Sequence, residues 1–366
     1  MLLYVFLSIT SLFLVSLGLS QESVEVALAW PNEPGDRLIA LNSRLTNGLS
    51  ILFAVALWAL TAFRSASIGN DTQQYLLYFD VFASEGIDSS RSFELGYQLL
   101  NVVISKFTTD PHVFLIIMAT IMYYGTFHFI MRYSRNIPAS TCLFFCVLFS
   151  FFASVLRQGL AIVIALYGYQ RLKEHKQIVA ALLFALAASF HLSAIVCFLL
   201  FFHPRWLNST AVLFTIIFLS LGLSMTGLLG RIVNSIAPRY AHYFSSRYAS
   251  TGWLSVTYSL VKGILLYLYI RPITQQDSES GGIIISNFAL LILFATFGYT
   301  VNLFTRASHY FDAIAIIEFP NIVLTSGKNS SRLAVFLLCI FELIMFIIIL
   351  IFRPGWNHLY PYEFWS

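Results

Sequence analysis

Six groups of residues in this chain have the types and spacing that chemistry needs. Asp71, Tyr75 and Phe79 fall at i, i+4 and i+8, so a helix puts an acid, a phenol and a ring on one face, with Arg64 just before them. Glu94, Tyr97, Gln98 and Asn101 repeat the idea at i, i+3, i+4 and i+7, a polar stripe suited to sugar hydroxyls. Arg157-Gln158-Gly159 opens an otherwise apolar run, and His191 sits in the middle of another. Two further clusters, Arg239-Tyr240 with His242 and Tyr243, and Arg306 with His309 and Tyr310, share an Arg with His at i+3 and Tyr at i+4. A guanidinium is a permanent, planar fork that grips phosphate, and a phenol ring covers a pyranose face. A neutral imidazole exists at pH 7 without tuning, which suits His191 to general-base work.

The elements that must hold these groups are membrane helices. The chain has 366 residues, 58% hydrophobic and only 10% charged, with mean hydropathy +0.78. Soluble proteins carry about 25% charged residues, so an ordinary soluble enzyme and a disordered chain are both excluded. Apolar runs lie at Leu2–Leu19, Leu49–Phe63, His112–Met131, Ala139–Phe152, Leu156–Tyr169, Ile178–Phe202, Ala211–Leu229, Leu254–Ile270, Gly282–Val301, Phe311–Leu324 and Leu333–Phe352. They are continuous rather than alternating, so helices and not barrel strands satisfy the backbone in lipid. The expectation is an all-α polytopic integral membrane protein of about ten to twelve transmembrane helices with amphipathic interfacial helices. Residues 1–366 are expected to form a single transmembrane domain, with a polar first loop over 21–48, an outer interfacial segment over 64–107 and a second polar loop over 230–253. Leu2–Leu19 lacks a basic flank and a small-residue cleavage site, so it reads as a retained helix.

Basic residues orient the chain. Arg132 and Arg135 lie in one short loop, Arg171, Lys173 and Lys176 in another, and two spans separate them, so both face the cytoplasm. The acidic segment 64–107 then lies outside. Past His191 the rule stops deciding, and a broken or re-entrant segment there reconciles an outside location for segment 64–107 with one for Arg239 and Arg306. Sixteen of the 21 cations are arginine, which points to anionic ligands or to anchoring at headgroups. No basic stripe lies in a soluble segment, so no nucleic-acid partner is expected. Cys142, Cys146, Cys197 and Cys339 show no zinc or redox spacing and read as apolar fillers.

Taken in order, Gly69-Asn70-Asp71 with Tyr75 and Phe79, Glu94-Leu95-Gly96-Tyr97 with Asn101, Arg157-Gln158 with Ala161, Phe190-His191-Leu-Ser193-Ala194, Arg306 with Tyr310, and Pro361-Tyr362-Glu-Phe364 resemble the EpsG-like family of polysaccharide polymerases, related in role to the Wzy O-antigen polymerases. The likeness runs from Arg64 to Phe364. It departs at Leu95, where the family often has proline, and at Thr72 after the acid. The resemblance implies a multi-pass enzyme of the bacterial inner membrane with its site toward the outer leaflet. It would join undecaprenyl-diphosphate-linked repeat units into an O-antigen, capsule or exopolysaccharide, beside a flippase and a chain-length regulator. On that reading His191, Glu94 or Asp71 serves as the base. Arg64, Arg157, Arg239 and Arg306, with Gln158 and Tyr75, Tyr97, Tyr240 and Tyr310, hold diphosphate and sugar. No cofactor is implied, and the scattered acids suggest no metal. The rival classes are a flippase of lipid-linked oligosaccharide, against which the lack of internal symmetry counts, and a non-catalytic anchoring protein.

Overall fold

A computed structural model describes residues 1–25, 34–87, 93–203, 209–228, 231–232, 235, 253–274, 279–298, 302–325 and 328–365. The described residues are helical almost throughout, and no strand forms among them beyond one isolated bridge between Arg64 and Phe364. The chain is an all-α polytopic membrane protein. Among the described residues, five helices are long and apolar enough to cross a bilayer: Leu2–Ser20, Ser43–Ala62, Pro111–Tyr133, Glu279–Phe297 and Asn329–Phe352. Shorter apolar helices, Ile137–Val147, Gln177–Phe190 and Thr210–Leu223 among them, fill several of the remaining apolar runs.

The shortening has local causes. The run 139–152 is cut at Leu148 into Ile137–Val147 and Phe149–Ser154. The run 178–202 is cut at His191, where helix Gln177–Phe190 stops and a 3-10 helix, Leu192–Phe201, begins. The break expected at His191 is therefore present. The polar stretch 21–48, expected as a loop, is helical over 21–25 and again from Pro34. Proline fits the first turn of a helix, where its missing N–H leaves no bond unmade. Of the second polar loop, 230–253, all but 231, 232, 235 and 253 lies outside the described residues.

Two compact units divide the chain: residues 1–164, 185–192 and 323–366 form one, and 165–184 and 193–322 the other. In the first unit, α1 (Leu2–Glu25) packs on α2 (Pro34–Ala62), α6 (Ile137–Val147) and α14 (Asn329–Phe352). Its inner face is Tyr4, Leu7, Ser11, Leu14 and Val15, and Leu2, Phe6, Ile9 and Phe13 point outward, the i, i+3, i+4 division of a helix between core and lipid. α5 (Pro111–Tyr133) starts where Asp110 accepts the His112 N–H at 2.8 Å with Pro111 at the first turn. The short helices α3 (Thr72–Glu85) and α4 (Leu95–Ser105) pack on each other, and α3 also on α5. The first unit also holds α7 (Phe149–Ser154), and α8 (Leu156–Lys173) opens in it. α9 (Gln177–Phe190) ends in it. In the second unit α10 (Thr210–Met225) and α11 (Trp253–Ile270) both pack on α12 (Glu279–Phe297), and α13 (Asn302–Leu324) carries Arg306, His309, Asp312 and Glu318.

Candidate functional site

α4 is amphipathic, but inside out. Tyr97, Gln98 and Asn101 are buried, while Leu95, Leu99 and Val103 face outward. The polar stripe that reads from the sequence as suited to sugar hydroxyls is turned into the protein, which is the arrangement lipid demands. Gln98 donates to the Phe93 carbonyl at 2.7 Å and Asn101 to the Tyr97 carbonyl at 2.7 Å. Glu94 stands at the N-cap position and its two oxygens work separately. Oε2 meets the Arg157 Nη1 at 2.6 Å, and Oε1 accepts the Leu192 N–H at 2.9 Å. One carboxylate thus ties the start of α4 to the first turn of α8 and to the backbone just past the break at His191. Gly96 explains why the helix can come so close. A Cβ there would sit 2.4 Å from the Ser189 hydroxyl and 2.7 Å from its carbonyl.

Arg157 is walled by aromatics. Its guanidinium carbon lies 4.6 Å from the Phe93 ring centroid and 5.8 Å from that of Tyr97, and the Tyr75 phenol is beside it. Tyr75 and Tyr97 meet edge to face at 5.9 Å. The pair is partly open, with 22% of the Arg157 and 18% of the Glu94 side chain exposed. Inside it, Arg157 Nε and the Tyr97 hydroxyl are buried and make no hydrogen bond among the described residues. Buried polar groups are normally satisfied, so these two are candidates to meet a ligand. Gln158 is fully buried next to them.

Asp71 lies one turn before Tyr75, at the N-cap of α3, partly exposed, and its carboxylate makes no cap bond. The turn that presents it is clamped. Gly69 has φ +86°, and a Cβ would meet the Ala153 carbonyl at 2.4 Å, so only glycine fits. The Gly69 N–H donates to the His358 carbonyl at 3.2 Å, and Asn70 Nδ2 to the Trp356 carbonyl at 2.5 Å. Ser65 N–H reaches the Glu363 carbonyl, Trp365 N–H the Phe63 carbonyl, and the Trp365 ring stacks on His112 at 4.7 Å. The tail 353–365 is therefore a strap over the acidic turn.

Arg64 plays a different part from the one its sequence position suggests. It has no solvent exposure, bonds to the Thr61 carbonyl, and reaches the Thr72 hydroxyl from two nitrogens at 3.4 Å. Burial pushes its guanidinium down to about 10, so it stays charged at neutral pH. It holds the turn rather than facing a ligand. His191 is partly exposed at the break, its N–H on the Ala187 carbonyl at 3.0 Å.

The second unit holds the other candidates. Tyr310 is buried with its hydroxyl 3.1 Å from that of Ser193, and Arg306 is partly exposed one turn earlier on α13. Arg239 and Tyr240 lie outside the described residues. Reading the sequence missed two ion pairs here. Lys262 on α11 meets Asp312 on α13 at 2.6 Å, both side chains almost sealed, and Lys173 meets Glu318 at 2.5 Å. The available signal was a lysine at the centre of the run 254–270 and two acids inside the run 311–324, since intramembrane charges must pair. The four cysteines are buried and free. No cluster of three metal-binding side chains occurs among the described residues.

No curated protein and no solved structure matches the chain. A model of the EpsG family matches residues 48–364, a stretch that takes in the acidic turn, the Glu94–Arg157 pair, the break at His191, α13 and the C-terminal strap. With most of its length matched, the chain belongs to the EpsG family.

Proposed function

We propose that this protein is a glycosyltransferase that joins lipid-linked repeat units, moving a glycan from undecaprenyl diphosphate onto the next unit at the outer leaflet of a bacterial inner membrane. Membership of the EpsG family supports a polysaccharide-polymerase type of role. The observation that carries the finer reading is the Arg157 site: a guanidinium fixed by Glu94, walled by Phe93 and Tyr97, with a buried N–H still unmatched.

In the reaction an acceptor hydroxyl oxygen bonds to the anomeric carbon of the donor, and the bond from that carbon to the diphosphate oxygen breaks. The electron pair leaves on the diphosphate. A preplaced guanidinium is complementary to that growing charge. Arg157 supplies it, and Arg306 and Arg239 are the further candidate guanidiniums of the chain. Tyr97 and Gln158 complete the polar wall, and Tyr310 follows Arg306 by four residues. Asp71, which makes no cap bond, hydrogen-bonds a sugar hydroxyl of the acceptor, and His191 does the same from the break. Glu94 is committed to Arg157 and Leu192, so it positions rather than accepts a proton. A flippase and a chain-length regulator are the expected neighbours in the same membrane.

The test is the surface glycan ladder of a deletion strain, complemented by wild type, Arg157→Ala or His191→Ala. The deletion is expected to leave a single repeat on the anchor, wild type to restore the ladder, and Arg157→Ala to leave it short by about 10²-fold in rate. A deletion that removes every repeat from the surface would mean that flipping, not joining, is the missing step.

A further inference from the structure

The turn that presents Asp71 is held from two sides, and every residue that holds it belongs to the first unit. From within, Arg64 reaches the Thr72 hydroxyl, which donates to the Ile68 carbonyl at 2.6 Å. From the other side come three consecutive carbonyls of the tail. Asn70 Nδ2 donates to that of Trp356, the Ser154 hydroxyl to that of Asn357 at 3.0 Å, and the Gly69 N–H to that of His358 at 3.2 Å. His358 has φ +46°, a left-handed conformation that a residue with a side chain keeps only where its surroundings hold it. The tail is fastened elsewhere as well. The Tyr4 hydroxyl donates to the Leu359 carbonyl at 2.8 Å, the Tyr362 hydroxyl to the Leu60 carbonyl at 2.6 Å, and the Ser67 hydroxyl to the Glu363 carboxylate at 3.1 Å. Losing the one bond at Asn70 therefore leaves the strap in place.

What the clamp does to Asp71 shows in its backbone. Aspartate is among the best N-cap residues, and a cap takes extended angles so that its carboxylate can accept the N–H two or three residues on. Asp71 instead has φ −105° and ψ 0°, and its side chain makes no such bond. It follows a glycine at φ +86° and an asparagine tied to the tail, and these hold it off the capping geometry. An aspartate whose task was to stabilise α3 would spend its carboxylate on the helix end. Here the chain uses a strained residue, a glycine that nothing can replace and a strap of backbone carbonyls, and the result is an acid turned away from its own helix and partly open to solvent.

We infer that Asn70, tied to the Trp356 carbonyl of the C-terminal strap, is a positioning residue that holds the Asp71 carboxylate toward the acceptor sugar. This rests on the glycosyl-transfer reading above, in which Asp71 hydrogen-bonds an acceptor hydroxyl. Asn70 itself touches no substrate. It acts through Asp71, and the strap supplies its fixed point.

The experiment uses the full chain in proteoliposomes with a synthetic lipid-diphosphate repeat unit as donor and a second, distinguishable unit as acceptor. Asn70→Ala is expected to raise acceptor KM about tenfold, the worth of one hydrogen bond to a charged group, with donor KM within about twofold of wild type. In an Asp71→Ala background the same change should add less than about twofold, because nothing is left to position. Hydrogen exchange reads the clamp without the reaction. Asn70→Ala should speed exchange in the peptide over residues 64–75 by about tenfold and leave α5 as it is in wild type. Three results overturn the inference: equal losses in the two backgrounds, exchange over 64–75 unchanged, or faster exchange spreading through α5, which would make Asn70 structural. A wild-type chain that never joins two units overturns the glycosyl-transfer reading and the acceptor with it, and the exchange result still decides whether the strap clamps the turn.

Discussion

The Glu94–Arg157 and Lys262–Asp312 pairs have nearly the same length, 2.6 Å, and opposite surroundings. The first leaves about a fifth of each side chain exposed, spends one carboxylate oxygen on a backbone N–H, and keeps a guanidinium N–H in reserve. The second is sealed between α11 and α13, with His309 on its remaining oxygen. Desolvation is what separates them. A sealed pair has lost its water and depends wholly on its partner, so removing one member strands a bare charge. A half-open pair can be completed by water or by a ligand. One pair is built to hold, the other to receive.

Breaking the sealed pair should therefore have the largest effect on stability. Asp312→Asn is expected to cost about 3–5 kcal/mol, because Lys262 loses its carboxylate in an apolar bundle. Replacing both members, Lys262→Met with Asp312→Leu, should recover most of that loss. Thermal unfolding in detergent, followed by a thiol-reactive dye on the four buried cysteines, reads both. If Asp312→Asn melts like wild type, the pair is not sealed and the contrast between the two regions disappears.

How far the two pairs were legible follows from the same physics. Helix type, the apolar runs and the break at His191 could all be read, because hydropathy and a lone polar residue are local signals. Glu94 and Arg157 could each be singled out, but not their union, which joins positions 63 apart. The inward turn of α4 was not legible, because the sequence pattern marks two faces without saying which meets lipid. The cut at Leu148 has no proline or glycine to announce it. The role of the tail was invisible for another reason: it acts through carbonyls of Trp356, His358 and Glu363, and a backbone acceptor leaves no mark in residue type. Lys262 was readable in principle, as a charge at the centre of an apolar run.

The half-open pair should behave the other way round. Glu94→Gln keeps an acceptor for the Leu192 N–H and removes the charge from Arg157. Its stability cost is expected to be about 1.5 kcal/mol, the low end for a charged hydrogen bond, because water reaches the pair. Its effect on function should exceed that figure. A guanidinium displaced by about 1 Å can lose 10²-fold in rate, so the ladder should shorten while the melting curve barely moves. Equal losses in both assays would show that this pair is structural too.

The smallest effect belongs to a pair with still more water around it. Arg171 meets Glu174 at 2.6 Å three residues along the chain, and Lys176 meets the same carboxylate at 3.0 Å, with 28% of the Glu174 side chain exposed. Lys176 first, with Gln170 and Arg171, holds the Glu174 carboxyl at about 2, below its ordinary 4.5. A lowered carboxyl stabilises the fold above its ordinary value, and that contribution is lost as the pH falls from 4.5 toward 2. Solvent screens such a pair, so its worth should be a few tenths of a kcal/mol. Glu174→Gln is therefore expected to melt within about 0.5 kcal/mol of wild type at pH 7, and the two curves should draw together as the pH falls from 4.5 and meet only near pH 2. The three pairs differ little in length and strongly in exposure. If Glu174→Gln proved as costly as Asp312→Asn, geometry rather than burial would set the strength of these contacts, and the division of labour between the two units would need another cause.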